Sequence, residues 1–160
     1  MFEVNEILER EFNKLKADLI RRYDEKGMRA SGRFANSLRV EINENNAKLT
    51  GLRYAEQLEY GRRPTSSGSS SGSSLRVQIL QWIQDKNITP RDGISIESLS
   101  YAIANKIHQR GWNRQGFGGV ELISEVLTPE RINSILDAVV QKNIRTFVDN
   151  TIKTLNRLNE

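Results

Sequence analysis

Between Phe2 and Lys26 the apolar positions Val4, Ile7, Leu8, Phe12, Leu15, Leu19 and Tyr23 recur every three or four residues. That spacing places them on one stripe of an amphipathic helix. Gly27 supplies its stop, because glycine enters the left-handed conformation without steric cost. A second, shorter helix is expected through Arg33 to Leu38, with Ser31 and Gly32 at its start and the serine capping free amides. At Leu38 the period changes to two: Leu38, Val40 and Ile42 alternate with Arg39, Glu41 and Asn43, the pattern of a strand with one face on a core. A turn at Glu44-Asn45-Asn46 and a looser alternation from Lys48 to Arg53 through Leu49 and Leu52 predict a hairpin.

Tyr54 to Tyr60 puts Tyr54, Ala55 and Leu58 on one side of a short helix that ends at Gly61. Gly61-Arg62-Arg63-Pro64 then leads into Thr65 to Ser74, a run of Ser, Gly and Thr only. Such a run has no apolar surface to offset the entropy of ordering, so a flexible tether is expected there. Beyond it Leu75, Ile79, Trp82 and Ile83 form a helical stripe, interrupted near Asn87 and broken by Pro90. Ile96, Leu99, Ile103 and Ile107 form another, and the two helices are expected to pack together. Gly111 to Gly119 holds four glycines and reads as a loop, and Val120 to Leu127 as a third strand. Thr128-Pro129 starts the last helix, with a capping side chain followed by proline at the first helical position. At about 1.5 Å per residue it would be roughly 45 Å long, more than a domain of this size needs. Its far end is therefore expected to pack on a neighbouring subunit or to project. The elements together predict an α+β fold, a small antiparallel sheet packed against several helices with a long C-terminal helix.

Composition narrows the functional classes. The 160 residues suit one domain with a single core, residues 1–160, carrying a Ser/Gly loop at 65–74. No segment is apolar enough to cross a bilayer. The acidic, amphipathic start reads against a secretory signal, so a cytoplasmic chain is expected. Without cysteine there is no disulfide, thiolate metal site or cysteine nucleophile. The net charge of +4 permits a nucleic-acid partner, but the arginines of the middle segment lack the close spacing of a DNA-reading helix. Solvated surface or subunit contact is the favoured use of that charge.

No catalytic constellation emerges. His108, the single histidine, has no local carboxylate or nucleophile to work with, and an exposed imidazole is expected. Glu56 and Glu59 lie three apart on a helix but lack the further ligands of a metal site, so surface pairing with Arg62 or Arg63 is expected. The glycine-rich loop lacks the Gly-Lys-Ser/Thr ending of a phosphate-binding loop. With Trp112, Arg114 and Phe117 it reads equally as an adaptable contact surface or as a loop with its aromatics tucked onto the domain. Arg62 and Arg63 beside the tether suit phosphate contact only weakly, because aromatic residues for base stacking are absent there.

In order and spacing these pieces resemble the tail-completion or neck proteins of tailed bacteriophages, lambdoid-type minor virion proteins. SGRFANSLRV (Ser31 to Val40) is similar to the family's small-Gly-x-hydrophobic-x-x-Ser-hydrophobic segment. YAEQLEYGRRP (Tyr54 to Pro64) is close to its Tyr-Ala-x-x-x-Glu-x-Gly-x-x-Pro element. A Trp-Ile helix (Trp82, Ile83), YAIANKIHQRGW (Tyr101 to Trp112) and the long C-terminal helix complete the order over nearly the whole chain. The Ser/Gly run departs from the shorter or proline-rich loop of relatives. The resemblance implies a non-enzymatic subunit without cofactor or metal, made in the host cytoplasm and located in the virion. It implies a homo-oligomeric ring joining the head connector, or portal, to tail proteins, with contact to packaged DNA left open. A head-tail adaptor or tail terminator is the alternative within the virion, and a basic nucleic-acid-binding protein the alternative outside it. Tyr54, Glu59, Arg62 and Arg63 are expected near a subunit contact, and Trp112, Arg114 and Phe117 against another virion protein.

Overall fold

In the computed structural model, which describes residues 2–65, 72–113 and 119–158, the first predicted stripe forms α1 (Phe2–Glu25). Its buried side chains Val4, Leu8, Leu15, Leu19 and Tyr23 are the inner members of that stripe. After Gly27, in the left-handed conformation at φ 65°, the chain turns into α2 (Arg33–Ser37), which buries Phe34 and Ala35. Ser31 Oγ lies 3.4 Å from the Arg33 amide, so the serine serves the helix start from just outside it. The hairpin forms as the alternation requires: β1 (Arg39–Asn43) pairs antiparallel with β2 (Asn46–Thr50), Val40 opposite Leu49 and Ile42 opposite Ala47. Asn45 takes φ 63° in the turn, and its amide is held by Asn5 Oδ1 at 3.1 Å, which ties the hairpin tip to α1.

Downstream are α3 (Ala55–Tyr60), α4 (Gly72–Asp85), α5 (Ile96–Arg110), α6 (Leu122–Val126) and α7 (Pro129–Leu158). The fold is α+β, mostly helical, with a two-stranded antiparallel sheet and a long C-terminal helix. Two expectations change. The stretch expected as a third strand is α6: Glu121 turns the chain at φ 52°, and Leu122 and Val126, one helical turn apart, are buried on the same side. Val120 and Leu122 alternate as a strand would and Leu122 and Val126 carry helical spacing, so the local pattern is compatible with either form. Residues 72–74, expected in the tether, instead belong to α4, which begins at Gly72; the rest of that expectation, residues 66–71, lies outside the described residues.

The main core cluster gathers Leu15, Leu19, Tyr23, Phe34, Leu38, Val120, Leu122 and Val126 between α1, α2 and α6. Tyr23 and Phe34 rings meet at 4.5 Å between centroids. By contrast α4 and α5 pack mainly on each other, as expected, around their own buried Ile83, Ser100 and Ala104. Ser95 caps α5 by accepting the Ser98 amide at 3.1 Å. No helix among the described residues is long and apolar enough to cross a membrane.

Charged pairs fasten α6 and α7 to α1. Arg131 at the start of α7 reaches Asp18 at 2.8 Å, while Arg22 and Lys26 hold Glu125 of α6 at 2.6 and 2.8 Å. Hydrogen bonds from Arg21 and then Arg131 keep the Asp18 carboxyl below its ordinary pKa, and those from Lys26 and Arg22 do the same for Glu125.

A carboxylate with a lowered folded pKa contributes stability above its unfolded pKa and loses it as the pH falls through the folded value. Acidification below about pH 4 should therefore loosen α6 and α7, by only about 1 kcal/mol in all since both groups are partly solvated; denaturant titration across pH checks this. Leu122, only 1% exposed, tests the core: Leu122→Ala should cost about 2–5 kcal/mol in the same assay.

Candidate functional site

Leu58 to Thr65, the Leu-Glu-Tyr-Gly-Arg-Arg-Pro-Thr run, is the junction where α3, α5, α6 and the glycine-rich loop meet. Glu59 is 4% exposed, and its partners are on α6. Oε2 accepts the Ile123 amide at 2.6 Å, and Oε1 accepts both the Ser124 amide at 3.1 Å and the Ser124 hydroxyl. These are free donors of the first turn of α6, and a carboxylate placed against them satisfies both hydrogen bonding and the helix dipole. One residue earlier, the Leu58 carbonyl accepts the Val120 amide at 2.6 Å.

Three residues after Glu59, Arg62 exchanges both backbone hydrogen bonds with Trp112 at 2.7 Å, forming a single antiparallel bridge. The Thr65 amide then donates to the His108 carbonyl at 2.9 Å, closing the last turn of α5. Gly111 and Gly119 sit directly on this run. A Cβ at Gly111 would overlap the Arg62 carbonyl, and one at Gly119 would overlap Leu58 and Glu59 backbone atoms. Gly111 also has φ 75°, a conformation that favours glycine.

Side chains around the junction divide into those turned inward and those left outside. Glu59, expected to pair at the surface with Arg62 or Arg63, is instead the internal cap of α6; no ion pair joins it to either arginine among the described residues. Trp112 packs against the main core cluster, so of the two readings of the loop its tryptophan follows the tucked one. Arg114 and Phe117 lie outside the described residues. Tyr54 is 37% exposed, 6.4 Å from the Phe34 ring, and the burial of the rest of its surface pushes its phenol above the ordinary tyrosine pKa. Arg62 donates to Thr65 Oγ1 at 3.2 Å, whereas Arg63 is exposed.

His108 is not the exposed imidazole expected from its polar neighbours. Its Nδ1 lies 2.7 Å from Thr65 Oγ1, and its Nε2 is buried with no partner among the described residues. Thr65 Oγ1 thus meets both the Arg62 guanidinium and the His108 ring, and the imidazole tautomer sets the direction of the second bond. No carboxylate orients this ring among the described residues, and no group of three or more potential metal ligands occurs there either. The arrangement fastens chain segments and holds no acid–base pair.

The chain matches no family model, no curated protein and no solved structure. Function therefore has to be read from surfaces. An extended apolar one is on α7, where no residue is fully buried although Ile132, Leu136, Val140, Ile144, Phe147, Val148, Ile152, Leu155 and Leu158 are 40–76% exposed. Half-buried positions Arg131, Ile135, Ala138, Val139, Lys142 and Thr146 form the side of α7 that meets α1, so the richer apolar face points away from the body. From Phe147 to Leu158 every residue is exposed, and these twelve positions carry the helix roughly 18 Å beyond its half-buried side. A sign of this was present in the sequence: apolar residues at 132, 135, 136, 139 and 140 are too many for one buried stripe.

Glu59→Ala should cost about 2–4 kcal/mol, because it strands the Ile123 and Ser124 amides in a buried place, whereas Arg63→Ala should change stability by less than about 0.5 kcal/mol. Parallel urea titrations of the two variants check the contrast.

Proposed function

We propose that this chain is a structural subunit of a tailed-phage neck, a tail-completion protein that oligomerises into a ring between head connector and tail. The observation that carries the oligomeric part is the outer face of α7. Its nine apolar side chains, 40–76% exposed along one side of the helix, make the kind of open apolar face that marks a site of protein association. The virion setting rests on the ordered resemblance of Ser31 to Val40 and Tyr54 to Pro64 to the neck family.

The junction supports the same reading. In the Tyr-Ala-x-x-x-Glu-x-Gly-x-x-Pro element, Glu59 caps α6 and Gly61, at φ 80°, turns the chain into the Arg62–Trp112 bridge. The motif that suggested the family is thus explained by what it holds together, with no catalytic role required. A DNA-binding reading draws less support, since Arg10, Arg21, Arg22, Arg29 and Arg131 are already engaged with carboxylates.

Light scattering over a range of protein and salt concentrations tests the proposal: a discrete species several times 18.3 kDa is expected, and a strict monomer at every concentration would overturn it. Replacing Arg62 and Arg63 by glutamate should lower the assembled fraction, and unchanged assembly would remove those two side chains from the subunit contact. Retention on a DNA resin at physiological salt, with no assembly in solution, would favour the nucleic-acid reading instead.

A further inference from the structure

Acidic residues are missing from the two segments that meet where α5 ends. Residues 60–84 and 98–120 hold six arginine and lysine side chains and no aspartate or glutamate, whereas 20 acids in 160 residues would place about six in these 48 positions. The fold brings the two segments together. Arg62 and Thr65 bond through the backbone to Trp112 and His108, α4 packs on α5, and Arg76 of α4 lies over the Tyr101 ring at 5.9 Å from its centroid. The backbone of Arg63 passes Gly111 so closely that an added Cβ would meet its carbonyl carbon at 3.0 Å. Arg110 is the residue before that glycine, and Lys106 stands one helical turn, about 5.4 Å, further back.

Arg63, Arg76, Lys106 and Arg110 are exposed and Arg62 is half-buried. None of the five is in an ion pair among the described residues, whereas Arg10, Arg21, Arg22 and Lys26 of the α1 region are held by carboxylates. Glu59, close by along the chain, is buried as the cap of α6, and Glu56 and Glu121 belong to the α3 and α6 side of the junction. Asp85 and Glu97 stand at the other end of the α4–α5 pair, about 20 Å of helix away. Residues 66–71 and 114–118, outside the described residues, contain no acid and add Arg114, so by composition they cannot neutralise this charge. The dipole of α5 favours a cation in its last turn, which accounts for Arg110 but not for the others. A surface of one sign spread over a bridge and two helices concentrates positive potential and attracts a polyanion.

We propose that this end of the α4–α5 pair binds the phosphate backbone of a nucleic-acid duplex without reading its sequence. A duplex carries one negative charge per about 1.7 Å of axis, so several neighbouring cations each release a counterion on contact. Unpaired bases would ask for a row of open rings, and here Arg76 lies over Tyr101 and Trp112 packs on the main cluster, which leaves Tyr60 alone. A single chain carries the whole surface, so the proposal does not rest on the ring reading; assembly would repeat the surface around the axis.

Fluorescence anisotropy with a labelled DNA duplex of about 30 base pairs, at roughly 50 to 200 mM salt, tests it; the affinity should fall with a log–log slope of about −4. Lys106→Gln/Arg110→Gln should bind about tenfold more weakly at roughly 100 mM salt, with the slope reduced by about 2. Lys48→Gln/Arg53→Gln, which removes two exposed cations elsewhere, should bind as the wild type does. No duplex binding at the lowest salt, or equal weakening of both variants, would overturn the proposal. Tighter binding to a single strand of the same length would overturn the duplex assignment, and binding to phosphatidylserine vesicles with none to the duplex would replace it by a membrane surface. Light scattering keeps this surface apart from the subunit contact. Lys106→Gln/Arg110→Gln should assemble as the wild type does, and loss of assembly together with binding would give these cations to the subunit contact instead. Wild-type protein that assembles and does not bind the duplex would refute this proposal and leave the ring reading standing.

Discussion

A buried carboxylate is tolerated only where hydrogen-bond donors replace the water it has lost, and Glu59 meets that condition with two backbone amides and a hydroxyl from one turn of α6. The rest of the chain's middle is arranged around it. Because α6 must start where Glu59 can reach it, Val120 is drawn onto Leu58, and Leu122 and Val126 are turned into the main cluster beside Leu15 and Phe34. The reciprocal Arg62–Trp112 bridge seats the other end of the glycine-rich loop on the same short run. Glycine at 111 and 119 is then a requirement of close backbone approach, since any Cβ there meets a carbonyl.

This junction also explains why the fold has two apolar regions of unequal quality. The main cluster lies on one side of it, bounded by α1, α2 and α6, and is further secured by Asp18–Arg131 and by Arg22 and Lys26 on Glu125. On the other side, α4 and α5 connect to the body, among the described residues, through the Arg62–Trp112 bridge, the Thr65 amide and a hydrogen bond from Lys86 to the Gly27 carbonyl at 2.7 Å. Those contacts are polar. The outer face of α7 is left exposed among the described residues. Surface of that kind is ordinarily resolved by association, because hydrophobic burial gains most where none has yet occurred.

Local patterns made most elements readable. The three- and four-residue spacing of α1, the change to alternation at Leu38 and the Thr128-Pro129 start each depend on neighbours within one turn or one strand, and each is found where that chemistry puts it. Thr128 Oγ1 accepts the Arg131 amide at 3.3 Å, the cap its position predicts. The candidate residues were less legible. Tyr54 and Arg63 keep partly or fully open side chains, but Glu59 and Trp112 are turned inward and His108 is drawn into a contact with Thr65, 43 residues away. A partner that distant leaves no mark in the spacing around either residue.

What the sequence determined by itself is therefore the set of helices, the hairpin and the excess of apolar residues on the last helix, all of which follow from periodicity and local capping. Tertiary structure alone decided that Val120 to Leu127 would be a helix, because an apolar run of that length is ambiguous until a donor-satisfying partner 64 residues away selects one form. It also decided which face of α7 would be covered. Periodicity says that a face is apolar, whereas only the position of α1 and the pull of Asp18 on Arg131 determine which side is buried and which is left to meet something else.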